Sequence, residues 1–359
     1  MGEAWRVLDT GLRSATQNIA LDRALLEARN AEEIPSTLRF ARFAPGVLLA
    51  SGGSAAQDAD LDYCRTNNIA VQRRITGGAA MYCDGAQLGW ALYLHHRDVV
   101  AVDMRANAKR ICHAAAAAIG ALGMDARFRA RNDIEVDGRT VGSAGGVCDG
   151  DALLYQGIVH LDLDMEACLR ALRTPARTVC DETVAAARER VTDLQCILGE
   201  RPDAALVRRN MIEAFESEFA VEFQDGDLSL TEHVRYQRAL AEVETPDWTG
   251  LLHQPVSDMT VCDASLPLAN GVLKASIVYL LAAHRIKQVW FAYEGTLKSR
   301  RLLVDLEAAL CDTPVERLER NVQVFFAGRA AADMPALTAV DFIAVMRCAL
   351  NLPLVTQHR

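Results

Sequence analysis

Apolar residues recur at helical spacing through residues 18–28, with Ile19, Leu21, Ala24 and Leu25 among them, and predict an amphipathic helix. Trp5-Arg6-Val7-Leu8-Asp9 before it reads as a first strand, and Pro35-Ser36 after it breaks the chain. Residues 37–43 alternate as a strand, and residues 47–50 are expected to continue the same sheet. A helix over 58–67 carries Leu61 and Cys64, and residues 69–72 lead into a loop. Leu88-Gly89-Trp90-Ala91-Leu92-Tyr93 read as a buried strand, and the alanine-rich stretch 106–122 as a helix closed by Gly123. Residues 131–141 read as a hairpin turning on Asp137-Gly138. A strand over 152–163, a short helix over 165–172 and helices over 184–198, 203–219 and 229–243 follow. Pro246, Pro255 and Pro267, with few periodic apolar residues between them, mark a boundary. Strands over 273–281 and 288–293 and helices over 302–310, 315–323 and 339–350 close the chain. The pattern predicts an α+β protein. Strands and helices fill 1–246, a linker spans 247–270, and a smaller α+β unit spans 271–359.

Composition narrows the class. With 359 residues, 51% of them apolar, and a mean hydropathy of +0.05, the chain is long enough to bury a large core. No apolar run suits a bilayer span, and the start lacks the basic and then apolar regions of a signal peptide. The net charge of −9 argues against general nucleic-acid binding, which needs a basic face. Ten cysteines are scattered from Cys64 to Cys348 without a Cys-x-x-Cys pair, so reduced thiols in a cytoplasmic setting are expected. Lysine is scarce, and Lys109 is the only one in the first 270 residues. Neither a Walker loop nor a Gly-x-Gly-x-x-Gly fingerprint is present.

One stretch stands apart: Arg73-Arg74-Ile75-Thr76-Gly77-Gly78-Ala79-Ala80-Met81-Tyr82. Glycines let a ligand lie against backbone N–H groups, and arginine offers a fixed fork of donors to a carboxylate or phosphate. The same residues also describe a hairpin loop with two solvated arginines. A second run of small residues, Gly142-Ser143-Ala144-Gly145-Gly146, lies downstream.

Together these stretches resemble the lipoate–protein ligase and octanoyltransferase family, related in fold to biotin–protein ligases. Residues 73–81 are similar to its Arg-Arg-x-Ser/Thr-Gly-Gly-Gly-Ala-Val signature, with Ala79 for the third glycine and Met81 for valine. Arg131-Asn132-Asp133 resembles its Arg-Asn-Asp element, residues 187–194 resemble a further segment, and the tail through Met334-Pro335-Ala336-Leu337 is similar to the accessory domain of the ATP-using ligases. The resemblance implies a two-step reaction with ATP, Mg²⁺ and lipoate, in which lipoyl-AMP forms and a lysine of a lipoyl-carrier protein, an H protein or lipoyl domain, then takes the acyl group. It also implies a catalytic domain built on a mixed, mainly antiparallel sheet flanked by helices, and a monomer suits such an enzyme. Arg74, Thr76 and the N–H groups around Gly77, Gly78, Ala79 and Ala80 would meet the anion. Gln87, Asn132, Gly142 and Ser143 join the binding set, and Asp133 would hold a metal or orient a donor. Apolar strands nearby would wall an acyl tunnel.

The family places a lysine after the hairpin, where this chain has Thr140. Threonine brings no charge, and losing such a donor costs roughly 2.7–4 kcal/mol in comparable sites. The neighbouring Arg139 is expected to face the other way along a strand. The transferase branch needs a nucleophilic cysteine, for which Cys148 is the candidate, with Cys83 read as packing. His95-His96 and His160 are read as structural, since spacing supplies no third metal ligand. Asp162 and Asp164 read as a solvated strand face.

Overall fold

The computed structural model describes residues 4–99, 104–129, 133–175, 178–249, 259–294, 301–327 and 337–352. Two compact units divide the chain: Met1–Leu172 with Val184–Pro255, and Arg173–Thr183 with Val256–Arg359.

The first unit opens with β1 (Trp5–Arg13) and α1 (Ala15–Asn30). The helix begins ahead of its apolar stripe because Ser14 and Gln17 form a reciprocal cap: the Ser14 hydroxyl accepts from the Gln17 N–H, and the Gln17 amide oxygen from the Ser14 N–H. β2 (Thr37–Phe43) runs parallel to β1. The next strand, β3 (Gly46–Leu49), leaves this sheet instead of continuing it. Pro45 has no N–H for the ladder, and Gly46 sits where a Cβ would come 3.3 Å from the Ala15 methyl, so the chain turns away beneath α1. After α2 (Ala55–Asp58) and α3 (Leu61–Thr66), β4 (Ala70–Arg73) and β5 (Met81–Cys83) flank β3 in a three-stranded sheet, order β4-β3-β5.

The main sheet resumes with β6 (Gln87–His95), α4 (Met104–Gly120), β7 (Ala126–Arg129), β8 (Asp133–Val136), β9 (Arg139–Asp149) and β10 (Ala152–His160). The β8–β9 turn carries positive φ at Asp137 and Gly138, as a two-residue hairpin requires. β10 stops at His160, short of 163, because Asp164 caps α5 (Met165–Ala171) by accepting from the Ala167 N–H. The helix expected over 184–198 is broken into α6 (Asp181–Arg188) and α7 (Leu194–Leu198). Between them Val191 lies alongside β9: Thr140 N–H donates to Arg190 O and Thr192 N–H to Thr140 O, both at 2.9 Å. Asp193 then restarts the helix as its N-cap. α8 (Ala204–Phe219), β11 (Phe223–Asp225), α9 (Leu230–Val243) and α10 (Pro246–Thr249) complete the unit. The eight strands run β11-β1-β2-β6-β10-β9-β8-β7, parallel at β11-β1-β2 and antiparallel elsewhere.

This sheet has two unlike faces. Leu38, Trp90, Leu92, Tyr155, Val159, Ile134, Val136 and Val141 pack with α4 and α8 on one. On the other, α1 covers Ala41 and Ile158, and Tyr93 and Leu154 pack with Leu25 and Leu26. Arg39, buried between α1 and the sheet, donates to Asp22 at 2.6 Å and to Asn18, and the Tyr93 hydroxyl donates to the same Asp22 oxygen at 2.5 Å.

The second unit has a four-stranded antiparallel sheet, β12-β13-β14-β15: β12 (Met259–Leu268), β13 (Gly271–Leu280), β14 (Arg285–Glu294) and, after α11 (Arg301–Leu310), β15 (Thr313–Pro314). β12 occupies part of the stretch expected as linker; it is an edge strand, where Pro267 is tolerated. α12 (Leu318–Phe325) and α13 (Ala339–Ala349) close a core around Phe291, Leu306, Val322 and Phe342. The Met334-Pro335-Ala336 segment lies outside the described residues.

Candidate functional site

The double arginine builds the glycine loop from within. Arg74 is buried, and its guanidinium donates to Thr76 Oγ1 at 3.1 Å and to the carbonyls of Leu48, Gly77 and Ala79 at 2.9, 2.8 and 2.7 Å. Burial pulls its pKa down to about 10, so it stays charged at neutral pH. Arg73 donates to the carbonyls of Trp248, Ala50, Ser51, Gly53 and Thr249 at 2.7–3.1 Å. Trp248 returns its indole N–H to Arg73 O at 3.0 Å. Neither of the two sequence readings, solvated arginines or an outward anion fork, describes this arrangement. Because Arg74 holds the carbonyls of Gly77 and Ala79, the trans peptides turn the N–H groups of Gly78 and Ala80 away from the guanidinium. Among the described residues nothing accepts from the N–H groups of Gly77, Gly78 or Ala79, and all three residues are exposed. Gly78 has φ +109°, and a Cβ there would stand 2.9 Å from Arg74 Nη2, so glycine is required. Ala79 holds a negative φ and tolerates its methyl.

The loop rests on β9 and β10. Gln156 Nε2 donates to Thr76 Oγ1 at 2.9 Å, Gly77 O lies 3.5 Å from the Cβ position of Gly145, and Ile75 packs with Val147 and Leu154. These contacts define the loop side of the sheet, opposite α4. Side chains alternate along a strand, so Ser143, Gly145 and Val147 share the loop side while Ala144 packs toward α4. Asp133 pairs with Ser143 across β8–β9, which puts carboxylate and hydroxyl on the same side. Asn132 and Arg131 lie outside the described residues. Gly142 is explained by packing, since a Cβ there would stand 2.5 Å from Ile158 O.

Thr140 pairs with Glu135 on the loop side, across a β-bulge at Val141. Arg139 pairs with Val136, whose side chain packs under α4, and its charge acts on Cys196 of α7. The bulge follows Arg139 and does not turn it toward the loop.

Gln87 is fully buried. Its carbonyl oxygen accepts from the Asp84 N–H at 3.0 Å, and its Nε2 has no partner among the described residues. It pairs across β6–β10 with His160, whose buried Nδ1 is likewise unpartnered among the described residues. Burial pushes the His160 pKa down to about 4, with Asp193 pulling the other way. The pairing of these two orphaned groups followed from register and was not legible in spacing.

Cys148 pairs with Leu153, which packs on the α4 side, so its thiol leaves β9 away from the loop. Every described cysteine with a shifted pKa moves up, burial first among the causes: Cys64 and Cys112 to about 11, Cys168 to about 12, and Cys83, Cys148 and Cys196 in the same direction. His95 and His96 do acquire a third neighbour, Asp151 from the β9–β10 turn, with ligand atoms within 4.8 Å of one another. Two of these atoms already have neighbours: His95 Nδ1 accepts from the Arg97 N–H at 3.4 Å, and His96 Nδ1 lies 3.5 Å from Asp151 Oδ1.

Residues 14–216 match the family Lipoyl protein ligase A/B catalytic domain. The chain belongs to that family. Octanoyltransferase LipM of Moorella thermoacetica is 25% identical over 266 residues, which cover 68% of this chain and 97% of that protein. Lipoate-protein ligase A subunit 1 of Thermoplasma acidophilum is 26% identical over 253 residues, 67% of this chain and 94% of that one. Among solved structures, the bi-partite lipoate protein ligase of Thermoplasma acidophilum, described with its E2 lipoyl domain, superposes with a TM-score of 0.61 at 23% identity over 71% of this chain and all of that one. A lipoate-protein ligase A bound with ATP gives 0.60 at 21% over 69% and 98%. Membership thus brings an enzyme of lipoyl or octanoyl attachment, spanning both ligases and transferases. No helix among the described residues is long and apolar enough to cross a membrane.

Proposed function

We propose that the chain is an ATP-dependent lipoate–protein ligase. The observation that supports it most is the loop cradle: the N–H groups of Gly78 and Ala80 point away from the Arg74 guanidinium that holds the carbonyls of the same peptides, beside Thr76 and Gln156. Such a preorganised nest suits the phosphates of ATP. Ile75 and Val147, half-buried on the loop side, offer an apolar wall for the C8 chain of lipoate. In the first step a lipoate carboxylate oxygen bonds to the α-phosphorus as the bond to pyrophosphate breaks. In the second, a carrier lysine amine attacks the acyl carbonyl, loses a proton, and AMP leaves. Asp133 and Ser143 present an all-oxygen donor set on the loop side, which fits Mg²⁺; the ion would neutralise phosphate charge there. A lipoyl domain is the proposed acceptor. The second unit is proposed as the accessory domain, carried in one chain where the Thermoplasma enzyme is bi-partite.

Octanoyl transfer is the second reading, favoured by the LipM match. A thioester route needs an activated thiol at the acyl site, whereas Cys148 faces the other side and burial raises its pKa. Intact mass of a recombinant lipoyl domain separates the two. A gain that requires lipoate, ATP and Mg²⁺ together is expected. A gain from octanoyl-carrier protein without ATP would overturn the ligase in favour of the transferase, and no gain from either donor would overturn both.

A further inference from the structure

We propose that His95, His96 and Asp151 form a binding site for a divalent transition metal of the zinc, nickel or cobalt class, separate from the glycine loop. A ring nitrogen of each histidine and a carboxylate oxygen of Asp151 lie within 4.8 Å of one another. Neighbouring residues of a strand point to opposite faces, so a His-His pair inside β6 would diverge. β6 ends at His95, and a short 3₁₀ turn over His96–Asp98 follows. The change of backbone brings the two rings together, with centroids 4.3 Å apart. Asp151 enters from the β9–β10 turn. At the rise of an extended strand, Asp149 beside that turn lies about 20 Å along β9 from Ser143, so this cluster is a different place from the candidate site.

The backbone around the third ligand is held in place by its neighbours. The Asp151 N–H donates to Asn30 Oδ1 at 2.9 Å, and Asp151 O accepts from the His96 N–H at 2.8 Å. Gly150 turns the chain with φ +57°, and a Cβ there would stand 2.6 Å from Asn30 Oδ1, so the turn fits against the end of α1 only with glycine. The His95 side chain is buried and its ring is oriented from both ends. Nδ1 accepts from the Arg97 N–H over 3.4 Å, longer than a normal hydrogen bond, so its lone pair is only loosely held. The ring proton then sits on Nε2, 3.7 Å from Glu32 Oε1, and Glu32 Oε2 is held by Arg97 Nη1 at 2.6 Å. A carboxylate behind the second nitrogen of a ligating histidine fixes its tautomer and raises its basicity. His96 Nδ1 and Asp151 Oδ1, 3.5 Å apart, are already close to the about 3.3 Å between ligand atoms of a tetrahedral zinc ion. Both side chains are exposed, and rotation on a fixed backbone closes the remaining gap. Arg29 and Arg97 stand nearby, but Asp98 and Glu32 answer them at 3.1 and 2.6 Å, and Asp151 adds a negative charge beyond those pairs. Two imidazole nitrogens and one carboxylate suit zinc, nickel or cobalt, whereas magnesium and calcium prefer all-oxygen sets. Water completes the shell on the solvent side.

The test uses the reduced full chain, stripped of metal with a chelator. Co²⁺ binding is followed by visible absorption and Zn²⁺ binding by calorimetry. One ion per chain is expected, without the thiolate-to-metal band that binding to the cysteines would give, and excess Mg²⁺ should not displace it. His96→Gln and Asp151→Asn change exposed side chains and should leave the fold intact. Each should weaken binding about tenfold or more, since changes behind a ligand already cost that much. The two together should abolish it. A folded parent with no saturable binding overturns the proposal. So does binding that carries a thiolate band or that the double variant retains, because the ion then sits elsewhere. Displacement by Mg²⁺ overturns the assignment to a transition metal. None of these readouts asks for catalysis, so they decide the site whichever activity the glycine loop supports.

Discussion

An arginine whose fork is filled by carbonyls does different work from one that waits for an anion. Arg74 gathers three carbonyls and one hydroxyl of its surroundings, and within the loop the consequence appears one atom further along: the peptides whose Gly77 and Ala79 carbonyls it holds turn the N–H groups of Gly78 and Ala80 away from it. The glycine loop and its two arginines were legible in sequence as a loop, but the part each arginine plays in it was not, because which way a guanidinium points depends on where Leu48 O and Trp248 O come to rest. His160 shows the converse. Nothing in its spacing marked it, yet burial against Gln87 leaves it neutral, with a folded pKa of about 4 against 6.5 when unfolded. Below pH 6.5 the unfolded chain binds a proton that the folded one refuses, so stability is lost as pH falls from about 6.5 and the loss levels off near pH 4, reaching about 3 kcal/mol. Urea titrations of the parent and His160→Gln at pH 7, 5.5 and 4.5 check this. The variant should show a shallower loss, and parallel curves would assign the acid sensitivity to other groups.

Elements came out of the hydrophobic pattern where burial alone decides them, and missed where a polar contact does. α1 was visible as a stripe, but its start depends on the Ser14–Gln17 cap. The 184–198 helix was over-read, because apolar spacing continues through a stretch that Thr140 recruits as a strand neighbour and Asp193 then re-caps. The strand expected to extend the first sheet left it at Pro45, where the ladder had no donor. What fixes α1 to the main sheet is also polar: Arg39, Asp22, Asn18, Tyr93 and Thr10 form a hydrogen-bonded network between the helix and the strands. Removing one partner strands a buried charge, so Arg39→Met should cost about 3–5 kcal/mol in denaturant unfolding. Asp22→Leu combined with Arg39→Met removes both charges and should recover much of that loss. A double variant no better than Arg39→Met would mean that the hydrogen bonds to Asn18 and Tyr93, more than charge burial, hold the helix.

At the scale of the whole molecule, the fold class was readable because two kinds of period alternate along the chain in blocks. The exact division was not, since Arg173–Thr183 joins the second unit across more than seventy intervening residues, a long-range placement that local pattern does not encode. Among the described residues, the hydrophobic core of that unit is drawn from the unit's own residues, with Phe342 of α13 fully buried against Phe291 and Phe326. A core closed within one unit predicts that damage to it is felt there first. Phe342→Ala should cost about 3–5 kcal/mol of local stability. In scanning calorimetry it should lower one of two transitions while the other, belonging to the unit with the glycine loop, keeps its midpoint. Fluorescence separates them further: Trp5, Trp90 and Trp248 report the first unit and Trp290 the second. A single cooperative transition shifted as a whole would show instead that the two cores unfold together, and the second unit would then have to be counted as part of what holds the site in shape.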